Sequence, residues 1–229
     1  LFLASGGARV SMSLSEATRA ARSFRQASPA LPIAIVTNAN ASQVDRAVFT
    51  HHITPRDDLL FPGNPCPDVC RGDRMPRQWT TRLYYMALSP FEITWALDSN
   101  VMQCPGTQAS GAVQGFLDAA QRSSLWGFDI AHANQASSHA VRGNGAVPHN
   151  WNIIFKWSSR TSNVFRDWFM LMLRRGITTT DQGRLQVAEL RQQAAGGLVV
   201  GQVPNEFAAA FYSVSPSKGF YPRITRTLS

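Results

Sequence analysis

Acidic residues are scarce. Fourteen Asp and Glu stand against 22 Lys and Arg, a formal net charge of +8 carried almost wholly by arginine. Such a surplus fits nucleic acid, an anionic membrane or a phosphate-bearing small ligand. The arginines are scattered, however, in groups such as Arg19, Arg22 and Arg25, then Arg71, Arg74, Arg77 and Arg82, then Arg174 and Arg175, then Arg223 and Arg226. No basic run is interleaved with aromatics, so nucleic acid is not an expected partner. Long apolar runs are lacking too, and none can cross a bilayer. The chain opens on LFLAS with no basic segment ahead of it. We therefore expect a fragment of a longer protein, with membrane contact only through an anchor upstream.

Cysteines are few. Cys66 and Cys70 sit in NPCPDVCRGD with no second pair of that type, so a structural zinc site is not expected. A disulfide, with Cys104 as a further possible partner, and free thiols both stay open. The five histidines, His51, His52, His132, His139 and His149, have no metal-binding spacing on a helix, and only His149 is placed near a site. Also missing are a G-x-S-x-G elbow, a phosphate-binding G-x-x-x-x-G-K loop and a G-x-G-x-x-G turn, since Ser5-Gly6-Gly7 lacks the third glycine.

What is present is alternation. Phe2 to Ala4 is a short apolar segment, and Ser13-x-x-Glu16 reads as a capping box opening a helix through Phe24. Pro32 to Asn38 is a buried strand closed by a turn, and Ala47 to Ile53 is a second candidate. Residues 55–76 read as loop. Trp79, Leu83, Met86 and Ala87 have helical spacing, stopped by Ser89-Pro90. Residues 93–97 form a strand and 112–120 a helix, followed by a strand over 126–131 and a loop over 132–149. Residues 152–157 are a strand, and a helical stripe from Phe165 to Met172 ends at Arg174-Arg175-Gly176. A helix over 181–193 and a strand over 198–203 complete the pattern. With 44% hydrophobic residues in 229, this suits one α/β sandwich over residues 1–229 with a mainly parallel sheet. In such sheets ligands gather beyond the carboxyl ends of the strands. Those ends are Ser5-Gly6-Gly7, Thr37-Asn38 and Asp98-Ser99-Asn100.

The segment ITWALDSNVMQC poses the central question: an apolar strand runs straight into Asp98, Ser99 and Asn100. These residue types are ideal for a strand-ending turn. They could equally hold a carboxylate out at the strand tip. Around them, LPIAIVTN, RQWTTRLYYMALSPFEITWALDSNV, HNWNIIFKWSSRTSNVFRDWF and TDQGRL occur in an order that resembles the GT-A glycosyltransferases that use nucleotide sugars. In that family a Thr-Lys-Leu helix and a Ser-Pro-Phe stop precede an apolar strand ending in Asp-x-Asp.

The resemblance implies a GT-A-like α/β/α sandwich and a UDP-sugar donor, with a glycan or glycoprotein as acceptor. It implies Mn²⁺ or Mg²⁺ held by Asp98 and Asn100, the latter standing where the family has its second aspartate. An amide oxygen can still ligate a hard cation but removes one negative charge. Arg82, at the family's lysine position, would offer a bidentate phosphate contact or lie on a solvated helix face. Ala4, Ser5 and Gly6, with Thr37 and Asn38, would receive the base and ribose, Asp98 would contact metal or ribose, and Ser99 is a further donor-binding candidate. Asp181 and Gln182 match an Asp-Gln pair near the transferred sugar, and Asp181 would also suit a helix N-cap. Asn150 heads an Asn-Trp-Asn segment in which Trp151 replaces a small residue and would either stack on a sugar or block the pocket. The family's closing C-terminal segment is not recognisable, and Lys218 is only a distant candidate. The motif set looks closer to retaining enzymes, and the resemblance places the protein in the secretory lumen, at the Golgi. The alternative is the same fold kept as a scaffold subunit without catalysis.

Overall fold

The computed structural model describes residues 2–3, 10–55, 77–99, 101, 127–135, 147–173 and 181–202. Along the chain these form β1 (Phe2–Leu3), α1 (Val10–Ala27), β2 (Ala34–Val36), a 3-10 turn (Ala41–Gln43) and β3 (His51–Ile53). Next come α2 (Arg77–Ala87), β4 (Ile93–Leu97), β5 (Ile130–Gln135), β6 (Val147–Lys156), α3 (Ser159–Leu173), α4 (Asp181–Gly196) and β7 (Val200–Gln202). The strands build a parallel sheet ordered β1-β2-β3 and a mixed sheet ordered β4-β6-β5-β7. In the second sheet β6 alone is reversed, antiparallel to both β4 and β5, while β7 runs parallel to β5. The fold is α/β, as expected, but the second sheet is mixed rather than parallel.

Side-chain alternation along each strand supplies two apolar faces. Ile35, Trp95 and Leu97 face the α1 side, where Leu14, Ala17, Ala21 and Phe24 repeat at helical spacing. The rings of Phe24 and Trp95 meet edge to face at 5.7 Å, so α1 reaches across to the second sheet. Ala96, Ile153 and Phe155 face the opposite way, onto Leu83 and Met86 of α2, Phe165 and Trp168 of α3, and Leu185 and Ala188 of α4. Val36 meets Tyr85 of α2 on that same side. Helices thus cover both faces of the strands.

Several boundaries differ from expectation for local reasons. Helix α1 begins at Val10, so Ser13 and Glu16 lie inside it and cap nothing. A reciprocal box forms instead at α3. The Ser158 N–H donates to Thr161 Oγ1 (3.0 Å) and the Thr161 N–H donates to Ser158 Oγ (3.2 Å). Residues 132–149 are not one loop: β5 continues to Gln135 and β6 opens at Val147. The fifth strand starts at Ile130, later than the apolar run from Trp126 implied. The loop expected at 55–76, the helix at 112–120, the pair Arg174-Arg175 and all three cysteines fall, save Pro55, outside the described residues. At the end of α3 a different cation serves: Arg184 donates through Nη1 to the Met172 carbonyl at 3.3 Å.

Candidate functional site

The chain leaves β1 toward β2 and β3 on one side and builds outward from β4 on the other. β1 and β4 are edge strands of the two separate sheets, with no pairing between them among the described residues, and in α/β folds ligands settle beyond the carboxyl ends of the strands. Phe2 and Leu97 share one apolar cluster, which holds these two strands together. Phe2 of β1 and the carboxyl ends of β2 and β4 border a narrow cavity lined by Phe2, Val36, Arg82, Tyr85, Met86, Ala96 and Leu97. Its volume of about 10 Å³ admits roughly one water.

Asp98 leaves the tip of β4 into a turn closed by a hydrogen bond from the Val101 N–H to the Asp98 carbonyl (3.1 Å). The two readings of this segment coincide: the residues end the strand and also present the carboxylate. That carboxylate is occupied. Arg82, on the α2 face turned toward β4, donates from Nη1 to Asp98 Oδ1 at 2.5 Å. The Arg82 side chain, which lines the cavity, is 15% exposed and that of Asp98 42%, so the acid lies on the wetter side of the pair. Arg82 Nη2 is buried and has no acceptor among the described residues.

The other expected residues are distributed as follows. Thr37 is fully buried at the end of β2, where its hydroxyl accepts the Ala39 N–H at 3.1 Å and shapes the turn. Asn38 stands exposed on that turn and Ser99 is half-buried beside Asp98. Ala4, Ser5, Gly6 and Asn100 lie outside the described residues. Asn150 belongs to β6, at a break in its pairing: His132 of β5 lies opposite Ile153, yet Ala133 lies opposite His149. Residues 150–152 are thus extra with respect to β5, a wide bulge of the kind that re-aims a strand. The pairing of β4 ends with Leu97 opposite Asn152, so Asp98 departs where this bulge begins. Asp181 is the first helical residue of α4, where a carboxylate suits the dipole, and Gln182 next to it is half-buried. Nothing among the described residues brings Gln182 into contact with Asp98.

The sequence matches no family model, and no curated protein gives a significant match.

A divalent cation at Asp98 fits these residues poorly. One of the Asp98 carboxylate oxygens, Oδ1, is already bonded to a guanidinium, and a second cation at this carboxylate would meet that charge at close range. Two further polar contacts escaped sequence reasoning. Trp95 Nε1 donates to Asn152 Oδ1 at 2.5 Å, pinning the inner edge of the bulge to β4. His132 Nε2 and Glu189 Oε2 lie 3.2 Å apart between β5 and α4, with side chains only 8% and 5% exposed. The sequence marks His132 only by its lack of metal-binding spacing, and its partner lies 57 residues away along the chain.

Proposed function

We propose that this protein is a GT-A-like glycosyltransferase that moves a sugar from a nucleotide diphosphate sugar, a UDP-sugar in the first instance, onto a glycan or glycoprotein. One observation carries the reading: the Arg82–Asp98 pair sits at the tip of β4, and Arg82 lines the cavity that β4 shares with β1 and β2. Departure of a nucleoside diphosphate builds negative charge on its phosphate oxygens, and a fixed cation held in a partly dry setting stabilises that charge as it develops. Arg82 is such a cation, and Asp98 fixes its orientation. Asn150, in the bulge that starts beside Asp98, is assigned to the sugar side of the cleft, and Asp181 and Gln182 to the same side through the resemblance alone. The α2 sequence Thr81-Arg82-Leu83 and the strand 93–97 with its Asp98 tip are the parts of the resembling pattern that meet in space.

Incubation with a panel of UDP-sugars, reading released UDP and transferred sugar, tests this reading. We expect turnover with at least one donor, and its loss in Asp98→Ala with an unchanged circular dichroism spectrum. Undiminished turnover in that variant would remove Asp98 from the site. A second reading, a scaffold subunit with the same fold, is favoured by the cavity of about 10 Å³, too small for a nucleotide in this conformation. Absence of binding to any nucleotide in calorimetry selects that alternative.

A further inference from the structure

We infer that Arg82 takes the place of the divalent cation at this site, so that a nucleoside diphosphate is held without metal and Asp98 acts as the positioning residue for Arg82. The inference rests on the glycosyltransferase reading and departs from the metal bridge which the resemblance implies.

Three observations carry it. First, Asp98 Oδ1 is bonded to Arg82 Nη1 at 2.5 Å, a charge-assisted contact that fixes both groups and places a cation beside the carboxylate. A divalent cation at this carboxylate would sit close to the guanidinium, which repels it. Second, the position that would complete an acidic pair is an amide, Asn100, in the sequence. Hard divalent cations are held by several anionic or carbonyl oxygens, and binding weakens as charged ligands are lost. Third, Arg82 keeps unused donor capacity. A guanidinium has five N–H donors. Nη1 serves Asp98, while Nη2 is buried at the strand tips without an acceptor among the described residues. An N–H withdrawn from water with no acceptor is destabilising, and a phosphate oxygen arriving at the tips of β1, β2 and β4 would relieve it. Arginine is suited to this because its fork can serve a carboxylate on one side and a phosphate on another.

The charges distinguish this arrangement from a metal site by the sign of one effect. If Asp98 is a metal ligand, replacing it with asparagine weakens nucleotide binding. If Asp98 only orients Arg82, the amide introduced by Asp98→Asn keeps an oxygen to accept from Nη1. The same change removes a negative charge that opposes the phosphates, so binding tightens.

The test uses UDP and, separately, inorganic diphosphate as probes in calorimetric titrations of the full chain, with excess EDTA or with Mn²⁺. We expect both to bind equally well in the two conditions. Binding in Asp98→Asn should be about fivefold tighter. In Arg82→Gln it should be roughly 10- to 100-fold weaker, with partial recovery in Arg82→Lys. Thermal unfolding establishes that each variant folds; should Arg82→Gln fail to do so, the EDTA comparison and Asp98→Asn decide. Binding that requires Mn²⁺, or that weakens in Asp98→Asn, overturns the inference and leaves the glycosyltransferase proposal standing. No binding of UDP in any condition overturns both.

Discussion

His132 and Glu189 occupy a place that hydrocarbon usually fills, on the side of β5 packed by Leu185 and Ala188 of α4. Each is buried, and each retains an atom without a partner among the described residues, His132 Nδ1 and Glu189 Oε1. Truncating one member strands the other in a dry setting. We expect His132→Ala to lower stability by about 3–5 kcal/mol in urea denaturation, the usual cost of orphaning a buried ionisable partner. The double replacement His132→Leu with Glu189→Leu should recover most of that loss, because an apolar pair of similar bulk needs no compensation. Equal losses in the single and the double variant would mean that packing alone matters there. Such a pair cannot be read from the sequence: the two residues are far apart along the chain, and neither strand nor helix periodicity distinguishes a buried histidine from a surface one. Asp98 was legible for the opposite reason. An apolar run stopped by three polar residues is a local signal, and the turn that follows is built from the same atoms that reveal it.

Helices and their connections extend the same lesson. The stripe from Phe165 to Met172 lies inside α3, and the spacing of Leu83 and Met86 lies inside α2, because one buried face every 3.6 residues is a property of the chain itself. Capping signals misled where two competed. Ser13 and Glu16 match the box, yet α1 continues upstream to Val10, while Ser158 and Thr161 form the working box without an acid. Arg22 and Arg25, counted in the sequence as part of a diffuse basic surplus, instead tie α1 to the segment before β3. Arg22 Nη2 contacts Asp45 Oδ2 at 2.7 Å, and Arg25 Nη2 donates to the Val48 carbonyl at 2.9 Å. The hydrogen bond from Arg22 holds the Asp45 carboxyl below its ordinary value, helped by the Ala47 N–H and opposed by burial. A carboxyl lowered on folding adds stability above its unfolded pKa and loses it as pH falls through the folded one. The contribution is small because the pair is exposed to screening. Arg22→Ala should therefore raise the Asp45 pKa toward the ordinary carboxylate range, as read by carbon-detected NMR titration. No upward movement would mean that the Ala47 N–H alone sustains the shift.

At the scale of the whole molecule, the strand order is what the sequence concealed. Alternation of strand and helix suggests a mainly parallel sheet, but no helix described lies between β5 and β6, and β6 runs back between its neighbours. Its first half was hard to find because Val147 to His149 pair on one side only and need no continuous apolar run. That asymmetry divides the ladder into two blocks. Ile130 to His132 and Ile153 to Phe155 are flanked by β4 and β7, whereas Ala133 to Gln135 and Val147 to His149 extend past both. A ribbon of two strands with three pairs is marginal by itself, so the outer block can breathe while the inner one stays shut. Amide deuteration should accordingly proceed much faster at 133–135 and 147–149 than at 130–132 and 153–155. Equal rates would mean that the sheet opens as one piece. Because the step between the blocks falls beside Asp98, a sugar nucleotide seated there would brace the projecting ribbon and register as slower labelling of a region it need not touch.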